Sequence, residues 1–197
     1  MLKWMKSLLS FQNEATKDFI IVGLGNPGRT YEKTRHNVGF RAVRQFAKRH
    51  SITLKGSKRM SAEVGTGLVE ARSVVVVLPL TYMNVSGMAV KQAMKAFKVP
   101  SERVIVVVDD IVFPVGEMRL KAVGSHGGHN GLRSIEEHLG SRNYWRLRIG
   151  VGHPQGSDLA EYVLSPFDVE DEKKLPEVLT KAADMLDAWI LNPATKN

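Results

Sequence analysis

Two apolar runs rich in β-branched residues, at 74–80 and 104–108, read as strands buried in a core. They are part of a longer alternation. From residue 19 onward, runs of strand character at 19–24, 62–69, 74–80, 103–108, 117–123 and 145–151 alternate with stretches of helical period at 38–50, 86–98 and 130–139. This order predicts an α/β layer structure. Leu175, Val178, Leu179, Ala182, Leu186, Trp189 and Ile190 recur at three- and four-residue steps, which predicts a C-terminal amphipathic helix packed on the core, with Pro176 at its first turn or at a kink. No repeat, low-complexity tract or linker divides the chain. Residues 18–197 are therefore expected to form a single domain, behind an N-terminal extension, 1–17, expected to be loosely held.

Composition narrows the chemistry. The 197 residues carry 28 Lys and Arg against 20 Asp and Glu, a formal net charge of +8, and a positive field concentrates phosphate-bearing ligands. The charge hints at a polyanionic partner, the alternative being a surface that is simply soluble and basic. Cysteine is absent, which excludes a disulfide scaffold, a thiolate zinc site, an iron–sulfur cluster and a cysteine nucleophile. Catalysis must then rest on oxygen and nitrogen groups. No apolar run approaches the ~20 residues of a membrane-spanning helix, and the start of the chain has neither a long apolar region nor a small-residue cleavage site. The chain reads as cytosolic.

Two glycine-rich connections attract attention. Gly23-Leu24-Gly25-Asn26-Pro27-Gly28 follows a predicted strand and fits a dinucleotide-binding pattern. However, Pro27 sits inside the turn, polar residues follow it, and no Asp or Glu occurs between Glu32 and Glu63 to bind a ribose hydroxyl. An NADP-dependent oxidoreductase is thus disfavoured, and the glycines are better read as shaping a loop that presents Asn26. The second connection, Gly124-Ser125-His126-Gly127-Gly128-His129-Asn130-Gly131, lacks the Gly-Lys-Ser/Thr ending of a nucleotide triphosphate loop. His126 and His129, with Asp109 or Asp110, are conceivable metal ligands, but hydrogen-bonded imidazoles in a tight turn are the favoured reading and no metal is expected. There is no nucleophile elbow and no serine triad.

Asn26, Asn84 and Asn130 each fall at a strand end or helix start, where a lone Asn reads as a cap or turn residue. Jointly they say more. In an open α/β sheet the ligand crevice lies beyond the carboxyl ends of the strands, and Asn26, Asn84 and Asp109 follow predicted strands while His36 lies in the loop after the first. These groups suit hydrolysis of an ester by water. A neutral imidazole takes the proton, a carboxylate fixes its tautomer, and uncharged amides hold the carbonyl oxygen.

Several signatures in order carry a family resemblance: Val22-Gly23-Leu24-Gly25-Asn26-Pro27-Gly28, Tyr31, Thr34-Arg35-His36-Asn37-Val38-Gly39, Pro79-Leu80-Thr81-Tyr82-Met83-Asn84-Val85-Ser86-Gly87, Gly127-Gly128-His129-Asn130-Gly131-Leu132-Arg133-Ser134-Ile135 and Arg146-Leu147-Arg148-Ile149-Gly150-Val151-Gly152. Over roughly residues 19–167 the chain resembles bacterial-type peptidyl-tRNA hydrolase. The resemblance implies one twisted mixed β-sheet flanked by helices on both faces. It implies a monomeric cytoplasmic esterase that needs no cofactor or obligate protein partner, and that frees tRNA by cleaving the bond between a peptide and the 3′ ribose. It further implies His36 as the base, Asp109 as its partner, and Asn26, Met83, Asn84 and Asn130 as the lining of the peptide and water site. Tyr31 matches a position that contacts the reacting end of the substrate. Asp109 is preferred to Asp110 by counting back from Pro114 and Gly116, which the family shares.

Beside such a site the cations gain a meaning. Arg119 and Lys121 are two apart on one predicted strand and Arg146 and Arg148 on another, so each pair is expected to project from one face. Both pairs are candidates for acceptor-stem phosphates, with Arg133 at the start of the neighbouring helix as a further one; Arg119, Lys121, Arg148 and Arg133 are the ones chosen, and the resemblance supports Lys121, Arg133 and Arg148. Three departures accompany the match. Val112 stands where many relatives carry an acid, Ser125 replaces a common glycine, and about sixteen residues precede the first strand. Organellar relatives that act as RNA-splicing partners form a second, non-enzymatic class, separable by their lack of turnover.

Overall fold

The structure is a computed structural model and describes residues 17–153, 156 and 158–192. Side chains alternate across each central strand, and this alternation builds two cores. On β1 (Phe19–Gly23), Phe19 and Ile21 enter one core while Ile20 and Val22 enter the other. On β4 (Arg72–Pro79), Val74, Val76 and Leu78 join the first, Val75 and Val77 the second. On β5 (Val104–Asp110), Ile105 and Val107 oppose Val104, Val106 and Val108 in the same way. A strand with both faces apolar needs a layer on each side. The first core is closed by α1 (Val38–Arg49) and α5 (Val169–Leu191), the second by α2 (Ser86–Phe97) and α3 (Asn130–Leu139). A short α4 (Leu159–Leu164) precedes α5.

The remaining strands are β2 (Lys55–Ser57), β3 (Ala62–Val69), β6 (Met118–Lys121) and β7 (Trp145–Gly150), and the sheet order is β2-β3-β4-β1-β5-β7-β6. β4, β1, β5 and β7 are parallel neighbours, whereas β2, β3 and β6 join antiparallel at the flanks. This is the twisted mixed sheet with helices on both faces that was expected. Among the described residues no helix is long and apolar enough to cross a membrane.

The expected elements recur with small shifts at their ends. Pro176 does not open the last helix: α5 starts at Val169 and Pro176 lies inside it. The true start is set by Asp168, whose side chain accepts from Asp171 N. Asp109 does not follow its strand but lies within it, since β5 continues to Asp110, paired with Gly150 of β7. The N-terminal extension lies outside the described residues except for Lys17, whose N–H donates to Phe97 O at 3.2 Å.

Candidate active site

Three elements converge at the carboxyl ends of β1 and β5. A 3-10 turn, Arg35–Asn37, carries His36 directly before α1. The side chain of His36 is buried, and its Nδ1 lies 2.9 and 3.0 Å from the two carboxylate oxygens of Asp109. From the turn before α3, His129 brings Nε2 to 2.9 Å from Asp109 Oδ1.

The hydrogen bonds around these rings fix their protons. His129 is the N-cap of α3, and its Nδ1 accepts from Gly131 N and Leu132 N at 3.1 and 3.3 Å. A nitrogen that accepts from two amides carries no proton, so the ring hydrogen of neutral His129 is on Nε2 and is donated to Asp109. Burial works against the Asp109 charge, but His36 and His129 outweigh it and hold the carboxyl well below the usual carboxylate range. An ionised Asp109 accepts only, so His36 donates through Nδ1 and keeps its lone pair on Nε2. For His36, burial opposes the charged ring, yet the charge and hydrogen bond of Asp109 raise its pKa above the ordinary imidazole value.

Asn26 is locked from two sides. Its N–H donates to Asn37 Oδ1 at 2.8 Å, and Asn37 Nδ2 donates back to Asn26 O at 3.0 Å. Asn26 Oδ1 accepts from Met83 N at 2.8 Å, which ties the turn Met83–Val85 to the loop after β1. With its oxygen occupied, the amide offers its Nδ2–H groups. Met83 is buried, whereas Asn84 beside it is exposed. Asn130, also exposed, accepts a 3.4 Å bond from Arg133 Nη1 through Oδ1. It does not cap its helix, because the preceding His129 does. Tyr31 forms an edge-to-face pair with Tyr82, ring centres 6.5 Å apart, and Tyr82 is exposed.

Asp110 is not interchangeable with Asp109. Its oxygens accept from Val112 N at 2.9 Å and from Arg148 Nε at 2.7 Å. His126 accepts from Gly128 N and stands apart from the group of His36, Asp109 and His129, whose ligand atoms lie within 4.8 Å of one another. The nitrogens of that group that face Asp109 are hydrogen-bonded to it, an arrangement that orients both rings around one ionised carboxylate.

The cations separate by environment. Arg119 pairs opposite Arg148, and Lys121 opposite Arg146, across β6 and β7, so all four side chains share one face. Lys121 is exposed with no charged partner among the described residues. Arg119 is exposed, but it donates to Glu117 Oε1 and lies over the Phe113 ring. Arg148 keeps only 13% of its side chain exposed beside Asp110. Arg146, expected to project with Arg148, is instead fully buried, with Nη2 3.7 Å from Glu136 Oε1 of α3. Its guanidinium lies 3.8 Å over the Tyr144 ring and donates to Tyr144 O at 2.7 Å, and burial pushes the Tyr144 phenol up to about 12.

His129 and Tyr82 were not assigned from sequence. The legible signal for His129 is its position, one residue before a helical run, where an acceptor side chain caps the first turn. Tyr82 carried no signal beyond its place beside Met83.

Comparison with known proteins gives a consistent result. A family model described as peptidyl-tRNA hydrolase matches residues 20–197. A peptidyl-tRNA hydrolase of Chloroflexus aggregans is 46% identical over 174 residues, covering 87% of this chain and 92% of the relative. One from Bacillus cereus is 42% identical over 175 residues, covering 88% and 94%. The crystal structure of peptidyl-tRNA hydrolase from Acinetobacter baumannii superposes with a TM-score of 0.84 at 37% identity, covering 90% of this chain and 91% of that one.

Proposed function

The chain belongs to the peptidyl-tRNA hydrolase family of enzymes, and we propose that it cleaves the ester between a peptide and the 3′ ribose of tRNA with water activated by His36. One observation carries the reading. His36 has its Nδ1–H committed to an ionised carboxylate and its Nε2 without a protein partner among the described residues.

In this mechanism Nε2 takes a proton from water as the water oxygen bonds to the ester carbon. Asp109 stabilises the imidazolium that forms, and such base catalysis contributes roughly 10²- to 10⁴-fold. The tetrahedral oxyanion accepts from carboxamide N–H groups, for which Asn26 is suited because its own oxygen is already used by Met83 N. Exposed Asn84, which follows Met83 in sequence, and exposed Asn130, which follows His129, add neutral donors that do not trap the base in its protonated form. Collapse breaks the bond to the 3′ oxygen, which recovers the proton from His36, so the products are a peptide acid and a free tRNA hydroxyl.

The edge-to-face pair of Tyr31 and Tyr82 offers an exposed aromatic surface on which an unpaired 3′-terminal base stacks. Lys121, Arg119, Arg133 and the outer nitrogens of Arg148 engage acceptor-stem phosphates. The enzyme acts as a cytoplasmic monomer without a cofactor. The test is release of free tRNA from peptidyl-tRNA by the purified protein and by His36→Ala. The variant is expected to lose about 10²- to 10⁴-fold in kcat while retaining affinity for substrate in a filter-binding assay. Near-normal turnover of the variant would remove His36 from its role.

A further inference from the structure

We propose that Arg35 is a positioning residue for the reaction, clamping the turn that carries His36 onto the segment between α4 and α5; the proposal rests on His36 being the base. Arg35 is only 7% exposed, and among the described residues it forms no ion pair with a carboxylate. A buried cation without an ion partner is costly unless other groups satisfy it. Here Nη1 donates to Ser165 Oγ at 2.7 Å, to Ser165 O at 3.5 Å and to Pro166 O. The flat of the guanidinium lies 4.3 Å from the Tyr162 ring centre and 5.4 Å from that of Phe167. Every one of these partners lies in 162–167, remote in sequence and adjacent in space.

The backbone repeats the connection. Arg35 N donates to Ser165 O at 3.1 Å, and Thr34 and Pro166 form an isolated antiparallel bridge. The segment is fastened in turn to the strand beside Asp109. Tyr162 donates its hydroxyl to Val151 O at 2.9 Å, and Val151 N donates to Asp110 O at 3.0 Å. Gly152 makes room for this, since a Cβ there would stand 2.7 Å from the Tyr162 hydroxyl. The turn bearing the base and the strand bearing its carboxylate are thus bolted to one piece of chain, with Arg35 as the bolt. An error of about 1 Å in a reacting group is enough to cost roughly 10²-fold in rate, so a rigid mount here has direct catalytic value.

Charge and geometry are separable. The titratable groups facing His36 are Asp109 from β5 and His129 from the turn before α3, and Asp168 at the start of α5 feels the charge of Arg35. Lysine at position 35 keeps the positive charge but has neither the fork nor the flat face that fits between two aromatic rings. The experiment compares Arg35→Lys and Ser165→Ala with the parent chain, following the His36 ring by NMR titration and measuring kcat and KM on peptidyl-tRNA. In Arg35→Lys the turn loosens, the contact with Asp109 weakens, and the His36 midpoint is expected to move to lower pH. With it kcat should fall about tenfold or more while KM stays within about twofold. Ser165→Ala should move both readouts the same way by less. Arg49→Met, which removes the ion pairs to Asp184 and Asp187 across α1 and α5, should lower Tm and leave the His36 midpoint alone.

An unmoved midpoint with parental kcat in Arg35→Lys would overturn the proposal, because charge alone would then suffice. So would a loss of kcat that merely follows the fraction of folded protein. Should Arg35→Lys fail to fold, Ser165→Ala decides, and an unmoved midpoint there counts against the proposal. The titration is read without turnover, so failure of His36 as the base, seen in His36→Ala, remains distinct from failure of the clamp.

Discussion

Asp109 accepts from two imidazoles at once, and the consequence for the reaction follows from what each ring can donate. His129 is fixed as a donor by the amides of α3, so the carboxylate is oriented before His36 engages it. Replacing Asp109 by Asn puts a carboxamide between two N–H groups with a single acceptor to offer. The His36 proton then moves to Nε2, and the base is lost in most molecules. The sign of the pH effect follows from the causes of the His36 shift. Burial lowers its pKa and Asp109 raises it, so removing the charge leaves burial unopposed. The parent enzyme is expected to gain activity as pH rises through an acid limb above the ordinary imidazole value of about 6.5. In Asp109→Asn that limb should lie at lower pH and the plateau should fall roughly 10- to 100-fold, read from kcat against pH. At this scale the sequence brought His36, Asp109 and Asn26 to one crevice, Asn26 and Asp109 by their place at the carboxyl ends of β1 and β5 and His36 by the loop after β1, and the structure sets His36 against Asp109. It set His129 beside Asp109 only in the disfavoured metal-ligand reading and did not disclose their hydrogen bond, because that pairing joins residues from β5 and a distant helix start. Asn84 and Asn130 are exposed, and the cap once suspected of Asn130 belongs to its neighbour His129.

Elements were legible where the hydrophobic period was strong. Both α2 and α3 start at the residue expected, and β3 spans the expected range. By contrast β2, Lys55–Ser57, has no apolar pattern and becomes a strand only by pairing with β3. α4 is equally silent, because six residues with none buried leave no periodic stripe. What positions the site at this scale is the contact of α1 with the strand ends. Gly39 in its first turn lies against backbone, and a Cβ there would meet Val107 O at 2.4 Å, Leu24 O at 2.7 Å and Leu24 N at 2.8 Å. None of those atoms belongs to a side chain that can turn aside. Gly39→Ala should therefore push α1 outward and carry with it the turn holding His36. Overpacking of this kind costs about 1–3 kcal/mol, which for a chain of this size is a fall in Tm of roughly 2–12 °C. A drop in kcat measured well below the new Tm should accompany it. Unchanged stability would mean that the helix does not rest on the strand ends as described.

At the scale of the whole molecule, the formal net charge of +8 hinted at a polyanion, but it could not say which cations face outward. Period-two spacing correctly put Arg119 with Lys121, and Arg146 with Arg148, on one face of their strands, and the pairing of β6 with β7 brings both pairs to the same face of the sheet. That face is buried at Arg146, beside Glu136 of α3, and open at Lys121, a difference set by packing and invisible in spacing. Salt dependence of tRNA binding turns this difference into a prediction, because each phosphate contact releases a counterion and steepens the fall of affinity with salt. Lys121 has no charged partner among the described residues, so Lys121→Gln should flatten the slope of log Kd against log salt by about one. Arg119 already sits on Glu117 and Arg148 on Asp110, so the net release from either is smaller and Arg119→Gln should flatten the slope by less. Arg146→Gln should leave the slope alone and lower stability instead, since the buried guanidinium holds Tyr144 O and the neighbouring loop. The ranking Lys121, then Arg119, then Arg146 is the test of the cationic edge. A slope in Lys121→Gln equal to that of the parent chain would place the acceptor stem elsewhere on the molecule.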